Sequence, residues 1–260
     1  MDNNLNITII QADLLWTDKL KNLEFFEKKI SEIKETTDLI VLPEMFTTGF
    51  TMQPALYAEN ANGSTLQWMQ NMAKIKSAAI IGSFIVEEDG KFFNRLYVVD
   101  KKGNSQYYNK RHLFRMAGEE KVFTAGDNRL IVNIKGWNIC PLVCYDLRFP
   151  VWSRNNENID LLIYIANWPK KRRTVWQILL RARAIENLCY VAGVNRVGED
   201  GNKILYSGDS LLIDYAGTIL SDIPAFSKYL NTYTLSKNNL IDFRERFPVH
   251  LDADIFTIQI

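Results

Sequence analysis

The strongest constraint on this chain is a series of short apolar runs, rich in β-branched residues, that alternate with amphipathic segments almost to its end. "DLIVLP" (38–43) and "DLLIYIAN" (160–167) are continuously apolar, the pattern of strands buried on both faces. "LNITIIQ" (5–11) predicts a first strand, and residues 78–104 a hairpin with turns at Asp89-Gly90 and Lys102-Gly103. Two strands are expected within 129–146, then "CYVAGVNRV" (189–197), 209–217, 218–223 and 228–236. Helices are expected over 18–36, capped by Thr17 with a stripe of Leu20, Leu23, Phe26 or Phe25, Ile30 and Ile33, and over 64–76. Further helices are expected over 150–156, over 174–188 with Val175, Ile178, Leu179, Ala182 and Ile185 inward, and over 238–246.

Strands outnumber helices, and no linker, composition break or repeat divides the 260 residues. One α/β domain spanning 1–260 is therefore expected, a two-layer sheet core with outer helices (α-β-β-α). An open Rossmann sheet is the competitor, weakened because no G-x-G-x-x-G follows the first strand. With 47% hydrophobic residues and a net charge of +1, the chain lacks the basic excess of a nucleic-acid or membrane-surface protein. The basic run Lys170-Lys171-Arg172-Arg173 is the one local exception. Three cysteines and a polar N-terminus without an apolar leader region point to the cytoplasm.

"ICPLVCYDLRFP" (139–150) holds the chemistry: an apolar run ends in Cys144 and turns at once into Tyr, Asp and Arg. A thiol there can be a nucleophile, a metal ligand, half of a disulfide, or a plain core residue. A bridge to Cys140 is disfavoured, since four residues of strand separate the Cα atoms by roughly 13 Å, against less than about 7 Å for a disulfide. With no C-x-x-C and only His112 and His250 as imidazoles, metal binding is poorly supported. Cys140 and Cys189 read as buried small residues. Cys144 instead sits at a strand's C-terminal end, where α/β sheets place their sites, and the N–H groups of Tyr145 and Asp146 follow at a turn. Its base is either His112 or a carboxylate assisted by a cation. Glu44 directly after "LIVLP" and Lys110 after "SQYYN" are the strand-end candidates for the second route.

Together these segments resemble the nitrilase, or carbon–nitrogen hydrolase, superfamily. "DLIVLPEMFTTGF" is similar to its glutamate motif, "YNKRHLF" to its lysine motif and "ICPLVCYDLRFP" to its cysteine motif, in family order. "ANWP", "RARAIEN" and "GDSLLID" extend the resemblance over most of the chain. "PEMFTTGF", "KRHLFRMAGE" and "ANWP" further resemble the omega-amidase branch, which hydrolyses the ω-amide of short 2-oxo dicarboxylate monoamides.

The resemblance implies a four-layer α-β-β-α sandwich, no metal or organic cofactor, and homodimers formed through helices near the site. Glu44 would act as base, Lys110 as cation, Cys144 as nucleophile forming a thioester, and Glu119, with Glu120 its neighbour, as auxiliary glutamate. Water and a small amide are the expected partners, with neither nucleic acid nor membrane. Tyr145 would supply an oxyanion N–H, and Phe46 and Trp168 pocket walls, with Met45 left to packing. Arg148, Arg172 or Arg173, with Arg115 further off, would hold the substrate's distal carboxylate. Gly118 and the polar stretch 111–125 would allow a lid. The alternatives are hydrolysis of an N-carbamoyl amine or a longer aliphatic amide, a true nitrilase, and, in another class, a non-catalytic scaffold on the same fold.

Overall fold

The computed structural model describes residues 3–254 and 256–259. The first sheet is built on β1 (Asn4–Gln11), β2 (Leu39–Val41), β4 (Ala79–Glu88), β5 (Lys91–Val99), β6 (Ser105–Asn109) and β14 (Tyr229–Ser236), with β3 (Glu59–Asn60) paired beside the end of β4. Its order is β14-β1-β2-β4-β5-β6, parallel at β1, β2 and β4 and antiparallel outside them. The second sheet runs β13-β10-β9-β8-β7, from β7 (Val132–Ile134), β8 (Trp137–Val143), β9 (Leu161–Ala166), β10 (Tyr190–Asn195) and β13 (Leu211–Ile213). It too is parallel at its centre, over β8, β9 and β10. A separate antiparallel ribbon joins β11 (Val197–Glu199) to β12 (Leu205–Ser207).

Alternation along the strands sorts side chains into layers. Ile7, Ile9, Leu39, Val41 and Ile81 share one face of the first sheet and pack with Ile139, Val143, Leu161 and Ile163 of the second. On the opposite face of the first sheet, Ile40, Leu42 and Ile80 meet Phe26 and Ile30 of α1 (Lys19–Ser31) and Met69 and Ala73 of α3 (Ser64–Lys76). The second sheet is covered by α5 (Arg173–Asn187) through Trp176, Leu180 and Ala184. Helix–sheet–sheet–helix is thus the observed order, in place of an open single sheet. Short helices α2 (Pro54–Tyr57) and α4 (Glu119–Val122) lie in connections, and α6 (Lys237–Arg246) packs Leu240 into the inner core.

Several local expectations are corrected. Thr17 adopts φ 52 outside the helix, and Asp18 is the cap, its carboxylate accepting from Lys21 N–H. α1 stops at Ser31 rather than running to 36, and Leu20 is 68% exposed. The helical turn expected over 150–156 forms earlier, as a 3₁₀ turn over Cys144–Arg148. Residues 218–223 contribute one isolated bridge, Ile213 to Ile219, instead of a strand.

The face of α5 is also reversed. Ile178 and Ile185 are 59% and 50% exposed, while Arg183 and Asn187 point inward. Periodicity counts apolar residues, but these two buried polar side chains find partners: Arg183 donates to Leu147 O, and Asn187 accepts from Asn155 N–H.

Gly193 of β10 is where α5 presses against the sheet: a Cβ there would lie 2.4 Å from Leu180 Cδ1 and 2.8 Å from Trp176 Cζ2. Gly193→Ala is expected to destabilise the protein by about 1–3 kcal/mol through overpacking. A lower urea midpoint with an unchanged m value would show this; an unshifted midpoint would mean that α5 yields freely.

Candidate active site

Each parallel centre delivers polar residues from the C-terminal ends of its strands: Glu44 beyond β2, Cys144 after β8, and Asn167 and Trp168 after β9. Lys110 arrives from the antiparallel flank, directly after β6. Its N–H donates to Asn94 O at 3.0 Å and its carbonyl accepts from Gly126 N–H at 3.0 Å, which clamps the backbone. Gly126 must be glycine, because a Cβ there would stand 2.2 Å from Asn109 O.

Lys110 Nζ lies 3.0 Å from Glu44 Oε1 and 2.9 Å from each oxygen of Glu119, and all three side chains are fully buried. One N–H can be shared between the oxygens of Glu119 and one given to Glu44, leaving a third for substrate. It is Glu119, rather than its neighbour Glu120, that pairs with the lysine; it also accepts from Phe114 N–H at 2.6 Å. Glu44 is held as firmly. Its Oε1 accepts from Asn94 Nδ2 at 2.8 Å and its Oε2 from Asn167 N–H at 2.7 Å. The turn that carries it is fastened by Ser83, whose Oγ and carbonyl receive the N–H groups of Met45 and Phe46.

Cys144 occupies a strained corner. Its φ is 45, left-handed for a non-glycine residue, between extended Val143 and the 3₁₀ turn it begins. Such a conformation costs about 1–3 kcal/mol and persists only where its surroundings impose it. Asp146 imposes it here. Its buried carboxylate accepts from Val143 N–H (2.9 Å), Tyr108 OH (2.7 Å) and His112 N–H (3.0 Å). The N–H of Tyr145 lies in the first turn of this 3₁₀ segment, where helix geometry leaves such groups without intrahelical partners.

The electrostatics follow from burial and crowding. Burial alone would depress the Lys110 ammonium, but Glu119 and Glu44 outweigh it and hold its pKa above the ordinary value. Burial raises Glu119, with Lys110 opposing and Glu44 reinforcing. Burial also pushes the Cys144 thiol well up, the Glu44 charge adds to this, and Lys110 offsets part of it. The resting Cys144 side chain is therefore a neutral thiol. Among the described residues no set of three or more His, Cys, Asp or Glu side chains gathers as metal ligands would. Between the two carboxylates, the ammonium is itself the cation.

A pocket of about 440 Å³ opens over this cluster, lined by Cys144, Lys110, Tyr145, Asn167 and Trp168 with Phe50 and Phe114. Arg148 and Arg172 also line it, over the rings of Trp168 and Phe114, and neither has a carboxylate partner among the described residues. Two expected residues lie elsewhere. Arg173 is engaged by Asp209 through its Nε and Nη2. Phe46 belongs to the outer core, wedged among Phe26, Trp68 and Phe84, because the turn after Glu44 sends it to the far side of the sheet. Met45 packs in a small core cluster with Ile85 and Phe123. His112 presents Nδ1 to Asp146 at 2.8 Å and stacks on Phe149, lining a different cavity, and His250 is exposed. The carboxylate route thus has the geometry, and the imidazole route does not. Sequence reasoning missed Phe50 and Asn94. The second had a signal, an Asn in the middle of an apolar strand.

The family model of carbon–nitrogen hydrolases matches residues 6–245. The chain is 46% identical over 254 residues to omega-amidase YafV of Escherichia coli (strain K12), covering 98% of each. It is 34% identical over 224 residues to 2-oxoglutaramate amidase of Bacillus subtilis (strain 168), covering 83% of this chain and 85% of that one. A solved CN-hydrolase superfamily protein from Xanthomonas campestris, with an arsenic adduct in its active site, superposes with a TM-score of 0.96 at 42% identity, over 98% of this chain and 99% of its own.

Because the Cys144 pKa is raised, its thiolate should form only above the ordinary thiol range near 9.0. Alkylation by N-ethylmaleimide is expected to be slower than for a small free thiol near pH 7 and to climb as pH rises past about 9. A rate already level below about pH 7 would instead reveal a thiolate preformed on Lys110.

Proposed function

The chain belongs to the carbon–nitrogen hydrolase family, and from that premise we propose that it is an omega-amidase. It releases ammonia from the ω-amide of small 2-oxo dicarboxylate monoamides such as 2-oxoglutaramate and 2-oxosuccinamate. The observation that carries this reading is the pairing of a buried Glu44–Lys110–Glu119 cluster beside Cys144 with two guanidinia in the same pocket that have no carboxylate partner among the described residues. The cluster supplies amide chemistry, and a guanidinium over an aromatic wall supplies a fork for a carboxylate.

In the proposed reaction Glu44 takes the Cys144 proton as sulfur attacks the amide carbon. The oxyanion is received by Lys110 Nζ and the Tyr145 N–H, at about 3 kcal/mol per well-placed donor. Protonated Glu44 then gives its proton to the departing nitrogen, and the C–N bond breaks to leave ammonia and a thioester. Glu44 next draws a proton from water, hydroxide displaces sulfur, and the free acid leaves as Cys144 regains its proton. Lys110 keeps its charge throughout, because Glu119 and Glu44 hold it protonated. Glu119 positions the lysine and, through the Phe114 N–H, the loop over the pocket.

Ammonia release by the purified protein on 2-oxoglutaramate, 2-oxosuccinamate, glutamine, asparagine and one N-carbamoyl amine tests this. The two 2-oxo acids should be strongly preferred, with no turnover by Cys144→Ala. Glu44→Gln should lose roughly 10²–10⁴-fold in kcat. Arg148→Gln should lose about 10–100-fold in kcat/KM through a charged hydrogen bond to the distal carboxylate. Turnover of the carbamoyl compound alone would keep the cluster and discard the substrate, and wild-type activity of Glu44→Gln would overturn the mechanism.

The functional unit is proposed to be the whole chain, as a homodimer. Ile178 and Ile185 are exposed on α5, the helix that follows the pocket's Arg172, and half-buried Val175, Leu179 and Ala182 flank them to give an apolar stripe. A catalytic thiol beside buried free Cys140 and Cys189 suits a reducing compartment, and the cytoplasm is proposed as its location. Light scattering should give twice the chain mass. Ile178→Lys combined with Ile185→Lys should give the chain mass, and an unchanged dimer would place the interface elsewhere.

A further inference from the structure

Asn167 is held with unusual definition. Its backbone N–H donates to Glu44 Oε2 at 2.7 Å and its side-chain Nδ2 donates to the backbone carbonyl of Glu44 at 2.6 Å. A carbonyl can only accept, so the amide nitrogen must be the end turned to Glu44. Oδ1 is therefore the opposite end. It is buried and has no donor among the described residues, in a residue that is 4% exposed and lines the pocket with Cys144 and Lys110. Asn94 has an equally orphaned Oδ1, but it does not line the pocket. Buried acceptors are almost always satisfied, and an exception inside a reaction site calls for a partner that arrives with the substrate.

We propose that Asn167 Oδ1 accepts an N–H of the scissile carboxamide and makes the enzyme selective for primary amides over esters of the same acid. The assignment rests on the amidase reading above. A carboxamide brings one acceptor and two donors. Its oxygen goes to Lys110 Nζ and the Tyr145 N–H, one N–H lies toward Glu44, and the second meets Asn167 Oδ1. As sulfur adds to the carbon, the nitrogen becomes pyramidal and takes the proton from Glu44. Its remaining hydrogens then grow more positive, so the bond to Oδ1 strengthens toward the transition state. An ester presents an alkylated oxygen in that place. It has no hydrogen to give, and its binding leaves Oδ1 buried and unpaired.

The test compares kcat/KM for 2-oxoglutaramate and for the 5-methyl ester of 2-oxoglutarate, in wild type and in Asn167→Ala. Both substrates form the same thioester, so kcat/KM isolates the step in which the leaving group differs. The amide-to-ester ratio should fall by about tenfold or more in the variant, beyond any loss that both substrates share through the weakened hold on Glu44. Equal losses on both substrates would overturn the assignment and leave Asn167 as a support for Glu44 alone. Asn167→Ser serves if the alanine variant does not fold. If 2-oxoglutaramate is not turned over, the substrate reading has failed, and the ratio is then read on whichever amide is hydrolysed and its methyl ester. Turnover of no amide at all overturns both.

Discussion

The buried Lys110 ammonium, shared between Glu44 and Glu119, is the interaction on which the rest of the site depends. Three charged side chains with no exposed surface would be untenable singly, since each would lose its hydration with nothing in return. Together they hold one another: two carboxylates keep the ammonium charged, and the ammonium keeps the carboxylates close. Their remaining lone pairs are met by Asn94, the Asn167 N–H and the Phe114 N–H. The same crowding sets the chemistry. Burial pushes the Cys144 thiol up, the Glu44 charge adds to this and Lys110 offsets only part of it, so the proposed mechanism needs a positioned base rather than a standing thiolate.

The nucleophile turn shows a second dependence. Asp146 is not a reacting group in the proposed mechanism, yet it reaches a strand of each sheet and the lysine-bearing loop at once, through Val143 of β8, Tyr108 of β6 and His112. Arg183 reaches the same turn from α5 by donating to Leu147 O. The left-handed Cys144 is thereby pinned from both layers. His112, the imidazole that a Cys–His pair would use, is thus employed in holding the turn's carboxylate, stacked on Phe149 and away from the pocket.

How much of this could be read beforehand follows from the range of the forces involved. Strands and helices with strong local periodicity, such as β4 with β5 or α3, fall where turn chemistry and pattern put them. α5 was correctly placed but wrongly rotated, because Arg183 and Asn187 are buried by partners that are remote in sequence. Phe46 and Arg173 sit within suggestive motifs, yet a single tight turn after Glu44 and a carboxylate at Asp209 take them out of the pocket. Asn94 gave a legible sign as a polar residue inside an apolar strand.

What the sequence by itself determined is the alternation that demands a sandwich, and the chain positions of Glu44, Lys110, Cys144 and the adjacent pair Glu119 and Glu120. These are encoded in residue type, local spacing and motif order. Only the tertiary structure decided that four side chains from four separate segments converge, which of two adjacent glutamates meets the lysine, and which way the Asn167 amide faces. Those outcomes depend on contacts of a few ångströms between segments as much as 123 residues apart, as in Glu44 and Asn167. No local pattern specifies such a distance; the packing of two sheets does.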